Sequence, residues 1–396
     1  MRMTKKNLLY RRIAESSGMS LIIGVVYFYI IPSSTLTPKT ILVLSIATGY
    51  TIAFLWRILY KFLIGDEKLS SHILFLGYTQ EIQELVDILQ KQPTIGYKVD
   101  ALFDPELKIK SEQFPGISIY HSLHALRPAI TNHKINMVVT APHLNDRDDA
   151  LRELYELLFW SVHITDLTSF YETVTGRIPP CTFSESWFLH NLKTNEQPAY
   201  NKIRRFFDMS AAVVLGTLFI ILFPFIYIGI KLSSPGPIFF KQKRIGLNGK
   251  IFFMYKFRTM YCLATDGSAE INGAEFAKKD DRRITSFGNI LRKTRIDELP
   301  QIFNLLKGDV SIIGPRPERP EIVEQLESKV PYYSLRYVVK PGITGWAAVH
   351  QHYTDTMETS LQKLQYDLYY IKNRSFLLDI SILLKTINVV IRGMGQ

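Results

Sequence analysis

The chain has 396 residues, enough for two or three domains, and its formal net charge of +11 indicates an acidic partner. No zinc-finger or helix-turn-helix spacing is present, so the sequence argues against a nucleic acid partner and favours an anionic membrane surface or a phosphorylated substrate. Only two cysteines occur, Cys181 and Cys262, far apart in the sequence, which argues against a disulfide framework or a cysteine-based metal site.

Two apolar runs near the N-terminus predict a pair of membrane helices. The runs cover residues 19–31 and 41–56, close to the lower limit of the roughly 17–25 residues that a membrane helix needs. Basic residues flank the pair, and only Lys39 lies between the runs, so both ends are predicted to be cytoplasmic. The sequence therefore predicts a helical hairpin over residues 1–64. A signal peptide, the alternative, lacks a small-residue cleavage site.

Strands and helices alternate between residues 65 and 169, which predicts a parallel, doubly wound sheet. The predicted strands cover 72–77, 97–103, 135–140 and 162–167, and the predicted helices cover 80–90 and 146–160. Gly77 follows the first strand, but the glycine pattern of a dinucleotide site is absent after it. A sheet domain for regulation or dimer contact is therefore favoured over a cofactor-binding one.

A third apolar run, at 202–232, predicts a helix that enters the membrane and returns. Residues 211–230 carry no charge, and basic residues lie at both ends, so a single crossing would place one basic cluster outside. Pro224 removes one helical hydrogen bond, which predicts a bend. These features favour a re-entrant helix in the cytoplasmic leaflet over a straight crossing.

A short hairpin is predicted after the third run, with its turn at Asn248 and Gly249. Lys256 and Arg258 alternate with apolar residues on the second strand, so the two cations are predicted to share one face. They either bind a substrate or only contact solvent. Residues 261–278 are predicted to form a mobile loop.

Two adjacent carboxylates, Asp297 and Glu298, lie at the predicted start of a helix. Pro300 is in its first turn, an apolar face with a period of 3.6 follows, and Gly308 ends it. Asp297 is either a helix cap, which is the commoner role, or a nucleophile that attacks phosphorus. Glu298 either stabilises the positive end of the helix, or holds a metal or moves a proton.

Basic residues and one further acid accompany the two carboxylates. Arg292 precedes them, and Arg316 follows them in a stiff Gly-Pro-Arg-Pro turn. Because a helix N-terminus flanked by guanidinium groups attracts anions, these residues predict a phosphate site. Asp367 lies among aromatic residues of an amphipathic helix, so it needs a partner, for which a salt bridge in the core is one candidate.

Six ordered motifs occupy the C-terminal half of the chain. They are SPGPIFFKQKRIG at 234–246, YKFRTM at 255–260, LRKTRIDELPQIFN at 291–304, LKGDVSIIGPRP at 306–317, KPGITGWA at 340–347 and YDLYYIKN at 366–373. In this order they resemble the bacterial polyprenyl-phosphate sugar-1-phosphate transferases, the monotopic phosphoglycosyl transferases that initiate exopolysaccharide and O-antigen assembly. The whole chain looks like the longer members, in which membrane helices and a Rossmann-like domain precede the catalytic part.

The resemblance implies transfer of a sugar 1-phosphate from a UDP-sugar donor to polyprenyl (undecaprenyl) phosphate, with release of UMP. It implies that Asp297 is the nucleophile and forms a covalent phospho-sugar aspartate, that Glu298 completes the dyad, and that both carboxylates bind Mg²⁺. Pro224 matches the bend of the re-entrant helix. His352 stands where many members have an arginine that holds phosphate. The phosphate- and substrate-binding set expected here is Lys256, Arg258, Arg292, Arg316 and Asp367.

The sequence therefore predicts an α/β membrane protein with four parts. These are an N-terminal helical hairpin (1–64), a Rossmann-like, CoA- or NAD-binding-like regulatory domain (65–169), a connector (170–200), and a re-entrant helix with a mixed α/β catalytic domain (201–396). The expected location is the bacterial inner membrane, with the active site on the cytoplasmic face. Membrane lipids are expected partners, and a homodimer is compatible with the longer members.

Two other functions are weighed against this one. A membrane-tethered protein that binds a nucleotide or CoA for regulation would not need the intact pair Asp297 and Glu298. An NAD-dependent nucleotide-sugar epimerase or dehydratase would need the glycine fingerprint and a Tyr-x-x-x-Lys motif in the sheet domain, and the sequence lacks both there.

Overall fold

The computed structural model describes residues 39–64, 70–107, 109, 114–144, 147–192, 198–262, 281–351 and 356–391. Three predicted features lie outside these ranges: the first helix of the N-terminal hairpin, most of the 261–278 loop, and His352. Contacts between residues divide the chain into two compact units, Met1–Thr165 and Asp166–Gln396.

The second predicted membrane run forms helix α1 (Lys39–Ile64), which extends beyond the predicted 41–56 at both ends. Its described side chains are largely exposed, and its apolar part is Leu44–Leu59. Among the described residues, only a later helix, Pro198–Ser233, is both long and apolar enough to cross a membrane. The second predicted apolar run is thus helical, and the pairing of two helices into a hairpin stays a prediction.

The first unit also contains a five-stranded sheet with helices between its strands. In chain order the elements are β1 (Ser71–Leu76), α2 (Gln80–Lys91), β2 (Tyr97–Phe103), β3 (Ser118–Tyr120), α3 (Leu126–His133), β4 (Met137–Thr140), α4 (Asp148–Leu157) and β5 (His163–Asp166). The strand order is β3-β2-β1-β4-β5, and β1 pairs in parallel with β2 and β4, as β2 does with β3. This is the order of a doubly wound sheet, so the predicted parallel sheet is confirmed.

Strand β1 lies at the centre of the sheet because its side chains are apolar on both faces. Leu74 and Phe75 are fully buried, as expected for a strand covered by helices on both sides. The following loop is tightly closed: Gly77 has a φ of +97°, and a Cβ there would lie 2.7 Å from Ala141 Cβ and 3.0 Å from His143 Cε1. The chain therefore passes close to the residues that follow β4, and the positive φ at this position favours glycine.

The second unit combines helices with two small sheets. In chain order the elements are α5 (Leu167–Thr175), α6 (Glu185–Asn191), α7 (Pro198–Ser233), β6 (Phe239–Ile245), β7 (Ile251–Phe257), α8 (Ser286–Lys293), α9 (Ile302–Lys307), β8 (Ser311–Ile313), α10 (Pro320–Glu327), β9 (Gly342–Thr344), α11 (Trp346–His350), α12 (Met357–Lys372) and α13 (Phe376–Ile391). Strands β6 and β7 form an antiparallel hairpin, and β8 and β9 form a short parallel pair. Asn248 and Gly249 both have positive φ at the hairpin turn, which confirms the predicted hairpin.

Helix α7 is attached to the rest of the second unit near both ends and in its middle. Nearer the start, Asp208 Oδ1 accepts two hydrogen bonds, from Ser311 Oγ and from the backbone N–H of Ile312, both at 3.0 Å. In the middle, Phe219 stacks on Phe257 of β7, with ring centroids 5.7 Å apart. Near the end, Ile230 is buried in the same apolar cluster as Phe257. One face of α7 therefore lies against the second unit from its start to its end.

The opposite face of α7 is apolar and exposed. Val214, Ile221, Phe225 and Leu232 follow one another at helical spacing on this face, and each is more than half exposed. All 36 residues of α7 belong to one helix, which runs through Pro224 without a break. A straight helix of this length would extend roughly 54 Å.

Helices α5 and α6 pack within the second unit, in the region that the sequence marked only as a connector. Trp346 Nε1 donates a hydrogen bond to Gly176 O, and Lys372 Nζ lies beside Glu172 Oε1, each at 2.7 Å. Phe188 of α6 is buried in the main apolar cluster of this unit. The chain thus enters the second unit directly after β5.

Candidate active site

The chain reverses direction just before the two candidate carboxylates. Helix α8 ends at Lys293, and Arg295 then adopts a left-handed conformation with a φ of +59°. A 3₁₀ turn at Ile296–Gln301 follows and runs directly into α9. Asp297 lies inside this turn, whose cap position belongs to Arg295, so Asp297 does not act as a helix cap.

Glu298 is surrounded by three cations. Its Oε1 lies 2.9 Å from Lys256 Nζ, 3.3 Å from Arg316 Nη2 and 3.8 Å from Arg295 Nη1. Burial opposes the ionisation of Glu298, but the charges of Lys256 and Arg316 outweigh it and hold the pKa of this carboxyl well below its usual range. Glu298 is therefore an ionised carboxylate whose charge the protein already compensates.

Asp297 adjoins Glu298 but lies in a different environment. It is buried, and its Oδ1 has no hydrogen-bond partner among the described residues. Burial raises the pKa of Asp297, and the charge of Glu298 adds to that effect, while Lys256 and Arg292 act in the opposite direction. Adjacent carboxyl groups whose pKa values are shifted in opposite directions are typical of a catalytic pair.

Lys256 reaches the carboxylates because of the alternation of β7. The next residue, Phe257, faces the apolar cluster and is almost fully buried, so Lys256 faces the other way. Asn304 of α9 fixes the strand against the turn: its Oδ1 accepts from Tyr255 N at 3.1 Å, and its Nδ2 donates to Phe253 O at 2.7 Å. These two hydrogen bonds connect the strand that carries Lys256 to the helix that follows the carboxylates.

Arg258 is not brought to the carboxylates, although the sequence predicts it on the same face as Lys256. Strand β7 ends at Phe257, so its alternation no longer applies at Arg258. The guanidinium instead donates to Ser234 O and Pro235 O, both at 2.7 Å, just after the end of α7. The buried Arg258 therefore holds the C-terminal end of α7, where a cation also complements the helix dipole.

Arg292 lies in the last turn of α8, and its charge lowers the pKa of Asp297. Its Nη1 is buried and, within the described ranges, has no hydrogen-bond partner. Asp297 Oδ1 and Arg292 Nη1 thus interact through charge while each lacks a hydrogen bond. Because an unsatisfied buried polar group costs about 1–3 kcal/mol, such a pair marks a position suited to a polar ligand.

Arg316 and Asp367 are linked through a third residue, Arg336. The buried Arg336 donates from Nε to Asp367 Oδ2 at 2.7 Å and from Nη2 to Arg316 O at 2.9 Å. The core salt bridge that the sequence allowed for Asp367 is therefore present. Arg316 points its guanidinium at Glu298, whereas Asp367 is fully buried behind the turn that carries Arg316.

Two polar residues that shape this site, Asn304 and Arg336, were not predicted from the sequence. Asn304 and Arg336 each interrupt an otherwise apolar segment and are almost fully buried. Since a buried polar side chain needs a partner, a lone Asn or Arg in such a segment was the available signal. The sequence contained no comparable signal for the left-handed conformation of Arg295.

The carboxylate of Asp297 fits a magnesium ion that is bound together with substrate. The described residues contain no group of three or more His, Cys, Asp and Glu side chains that could hold a metal. Mg²⁺, however, is often held by one or two carboxylates plus phosphate oxygens and water. The unpartnered Oδ1 of Asp297 supplies one such oxygen, whereas Oε1 of Glu298 is already contacted by three cations.

Comparison with known proteins places this site in a described family. The family model for bacterial sugar transferases matches residues 199–393. The UDP-N-acetylgalactosamine-undecaprenyl-phosphate N-acetylgalactosaminephosphotransferase of Aeromonas hydrophila is 43% identical over 224 residues, which cover 57% of this chain and 51% of that protein. The match thus spans about half the length of that relative.

Two further relatives extend the comparison. The UDP-glucose:undecaprenyl-phosphate glucose-1-phosphate transferase of Klebsiella pneumoniae is 29% identical over 343 residues, which cover 82% of this chain and 68% of that protein. The uncharacterized sugar transferase EpsL of Bacillus subtilis (strain 168) is 41% identical over 195 residues, which cover 49% of this chain and 89% of that protein. The range matched by the family model includes Asp297 and Glu298. The chain therefore belongs to the bacterial sugar transferase family.

Proposed function

We propose that the protein transfers a sugar 1-phosphate from a UDP-sugar to undecaprenyl phosphate, releases UMP, and thereby initiates the assembly of a polysaccharide or glycan. The names of the Aeromonas and Klebsiella relatives describe this type of transfer. The observation that carries the proposal is the buried, unpartnered Oδ1 of Asp297 beside the compensated Glu298. No hydrogen bond within the described residues has to break before that oxygen attacks.

In the proposed reaction, Asp297 attacks the sugar-side phosphorus of the donor. A bond forms between a carboxylate oxygen and phosphorus, the bond from phosphorus to the bridging oxygen breaks, and UMP leaves with that oxygen and its electron pair. An oxygen of undecaprenyl phosphate then attacks the same phosphorus, and the bond to Asp297 breaks, which regenerates the carboxylate. Two displacements avoid a direct encounter between two anionic substrates.

The surrounding cations have separate tasks in this scheme. Arg292, whose Nη1 lacks a partner within the described structure, is available to bind a donor phosphate oxygen. Lys256 and Arg316 offset negative charge on the transferred phosphoryl group, and Glu298 holds both of them in place. Asp297 would also hold Mg²⁺, which supplies Lewis-acid stabilisation of the phosphate charge when it is bound.

We further propose that α7 is re-entrant, with Pro224 at the bend, and that the active site faces the cytoplasm at the inner membrane. The contact of Phe219, in the middle of the apolar run, with Phe257 of β7 supports this, since a straight crossing would place that two-stranded hairpin inside the bilayer. The exposed apolar face of α7 is available for lipid. This arrangement keeps the site where a cytosolic nucleotide sugar and a membrane-bound acceptor meet.

The alternatives receive less support. An NAD-dependent epimerase or dehydratase needs a glycine-rich loop after the first strand, and the sequence there, Gly77-Tyr78-Thr79-Gln80, lacks the further glycines. A purely regulatory protein does not explain the buried pair formed by Asp297 and Glu298. We retain regulation as the proposed role of the sheet domain, at residues 65–169.

The proposal is tested by incubating purified protein in membranes with undecaprenyl phosphate, Mg²⁺ and a panel of UDP-sugars, one at a time. UMP release and the lipid product are measured together. We expect one or a few UDP-sugars to yield equal amounts of UMP and lipid-linked sugar phosphate, and Asp297→Asn to abolish both. UMP release at the wild-type rate by Asp297→Asn would rule out the assigned nucleophile.

A further inference from the structure

Four consecutive carbonyl groups in the turn that carries Arg316 each accept a hydrogen bond from a different donor. The bonds are Gly342 N to Pro315 O at 2.9 Å, Arg336 Nη2 to Arg316 O at 2.9 Å, Arg244 Nη1 to Pro317 O at 3.0 Å, and Ile245 N to Glu318 O at 3.0 Å. Hydrogen bonds to every carbonyl of a short segment leave its backbone little freedom. The position of Arg316 is thus fixed through its main chain.

The side chain of Arg316, in contrast, is 41% exposed. Packing around it therefore cannot fix the direction of its guanidinium, although Arg316 Nη2 must remain 3.3 Å from Glu298 Oε1. A long exposed arginine has several accessible rotamers, and only the point where it leaves the backbone is constrained. The accuracy of the contact with Glu298 thus depends on the groups that hold the backbone of the turn.

Arg336 is the donor with the most complete set of partners. Its Nε donates to Asp367 Oδ2 at 2.7 Å, its Nη1 donates to the hydroxyl of Tyr333, and its Nη2 donates to Arg316 O. Arg336 is 2% exposed and Asp367 is 1% exposed. Moving such a pair out of water costs several kcal/mol, so stability alone explains it poorly.

We propose that Arg336 is a positioning residue for the reaction: held by Asp367, it fixes the backbone at Arg316 so that the Arg316 guanidinium reaches Glu298 and the transferred phosphate. This inference rests on the proposed function. Among the described residues, the hydrogen bonds of Arg336 go to Asp367, Tyr333 and the Arg316 carbonyl, none of which is a reacting group. Asp367 then acts indirectly: it holds Arg336, which holds the backbone at Arg316, and it does not contact substrate.

The planar guanidinium group of Arg336, with several N–H donors, is essential to this role. One guanidinium donates in two directions, to a carboxylate and to a backbone carbonyl, in a fixed planar geometry. Arg336→Lys keeps the positive charge for Asp367 but cannot reproduce both bonds. Since small displacements of a catalytic group can cost about 10²-fold in rate, we expect kcat to fall by roughly that factor while KM for the donor changes little.

A double-mutant cycle on the full chain in membranes tests the inference. UMP release is measured for the wild type, Arg336→Lys, Arg316→Ala and the double variant. If Arg336 acts through Arg316, the Lys substitution lowers kcat in the wild-type background and has no further effect once Arg316 is removed. An equal loss of kcat in both backgrounds, or no loss in the wild-type background, overturns the inference. Wild-type turnover would still support the proposed function in either case.

A control variant, Arg177→Lys, and a second substitution, Asp367→Asn, distinguish a positioning role of Arg336 from a role in folding alone. Arg177 is another buried arginine bonded to α12, through Gln365 at 3.2 Å, and Arg177→Lys should lower the melting temperature without a kcat loss that depends on Arg316. If Arg336→Lys does not fold, Asp367→Asn replaces it in the same cycle, because Asn keeps the shape and one acceptor oxygen. The same dependence on Arg316 is expected, and additive losses for Asp367→Asn contradict the inference.

Discussion

Lys256 Nζ lies 2.9 Å from Glu298 Oε1, and this ion pair makes two neighbouring carboxylates unequal. Glu298 is ionised and compensated by cations, whereas Oδ1 of the adjacent Asp297 has no hydrogen-bond partner in the described ranges. One carboxylate is thus committed to holding Lys256 and Arg316, and the other is left available for chemistry.

Neutral isosteres of the two carboxylates should change stability in opposite directions. The pKa of Asp297 is raised, so the folded state binds its proton more tightly than the unfolded chain, and stability falls as pH rises through this range. Asp297→Asn should therefore raise the melting temperature at neutral pH. Its advantage over the wild type should shrink at acid pH, where the wild-type carboxyl is protonated.

Glu298→Gln should instead destabilise the protein. The pKa of Glu298 is lowered, so its contribution to stability is present above the pKa of an unfolded glutamate and is lost as pH falls through the folded value. Removing the charge leaves Lys256 and Arg316 without their partner, at a cost of about 1–3 kcal/mol, because both cations remain partly exposed to water. Thermal unfolding of both variants in detergent, at acid and neutral pH, measures the two effects. A change of the melting temperature in the same direction for both variants at neutral pH would contradict the different charge environments assigned to Asp297 and Glu298.

The acid limb of the pH profile of kcat/KM should respond to the charges around Asp297. Because burial raises the pKa of Asp297, the limb should lie above the usual range of an aspartate. Lys256→Met removes a cation that lowers this pKa, so the limb should move to higher pH. Glu298→Gln removes an anion that raises it, so the limb should move to lower pH. The measurement is the rate of UMP release by each variant across the acid pH range. A shift of the acid limb in the same direction for both variants would count against Asp297 as the titrating group.

Arg258 and Arg292 should have different roles: Arg258 stabilises the fold, and Arg292 binds substrate. Arg258→Met leaves the carbonyls of Ser234 and Pro235 unpaired, at about 1–3 kcal/mol each, and should lower the melting temperature. Arg292→Met removes a donor whose Nη1 has no partner within the described structure, so stability should change little. We expect Arg292→Met to lower kcat/KM by roughly 10²-fold. Thermal unfolding and UMP release on both proteins distinguish the roles, and the reverse pattern would show the assignment to be wrong.

The proposed course of α7 is tested with one cysteine at each end. Lys202→Cys and Lys231→Cys are made separately in a background with Cys181→Ser and Cys262→Ser, since both lysines are exposed. A membrane-impermeant maleimide should label neither position in intact spheroplasts and both in inverted vesicles. Labelling of one position from the outer side would demonstrate a straight crossing.

Much of the fold follows from local sequence patterns. The second strand of the sheet was predicted with the observed bounds, Tyr97–Phe103, because the Asp104-Pro105 turn marks its end. The hairpin was predicted because Asn248 and Gly249 accept the positive φ values of its turn. These signals act between neighbours in the chain, so one sequence is enough to detect them.

The features that were missed depend on contacts between distant parts of the chain. Arg336 is paired with Asp367, 31 positions later, and bonded to Arg316, 20 positions earlier, and no local pattern encodes that geometry. Arg258 was placed with Lys256 by alternation, but the strand ended one residue before it. Asp297 resembled a cap by spacing, and the left-handed Arg295 moved the start of the turn.

The most direct test of the account is to trap the covalent intermediate. Wild-type protein, whose turnover with both substrates has been verified separately, is mixed with a UDP-sugar labelled in the sugar-side phosphate, without the lipid acceptor, and quenched by denaturation. Peptide mass spectrometry should find a phospho-sugar on Asp297, which disappears when undecaprenyl phosphate is added before the quench. If active protein accumulates no adduct on Asp297, or carries it on another residue, Asp297 is not the nucleophile.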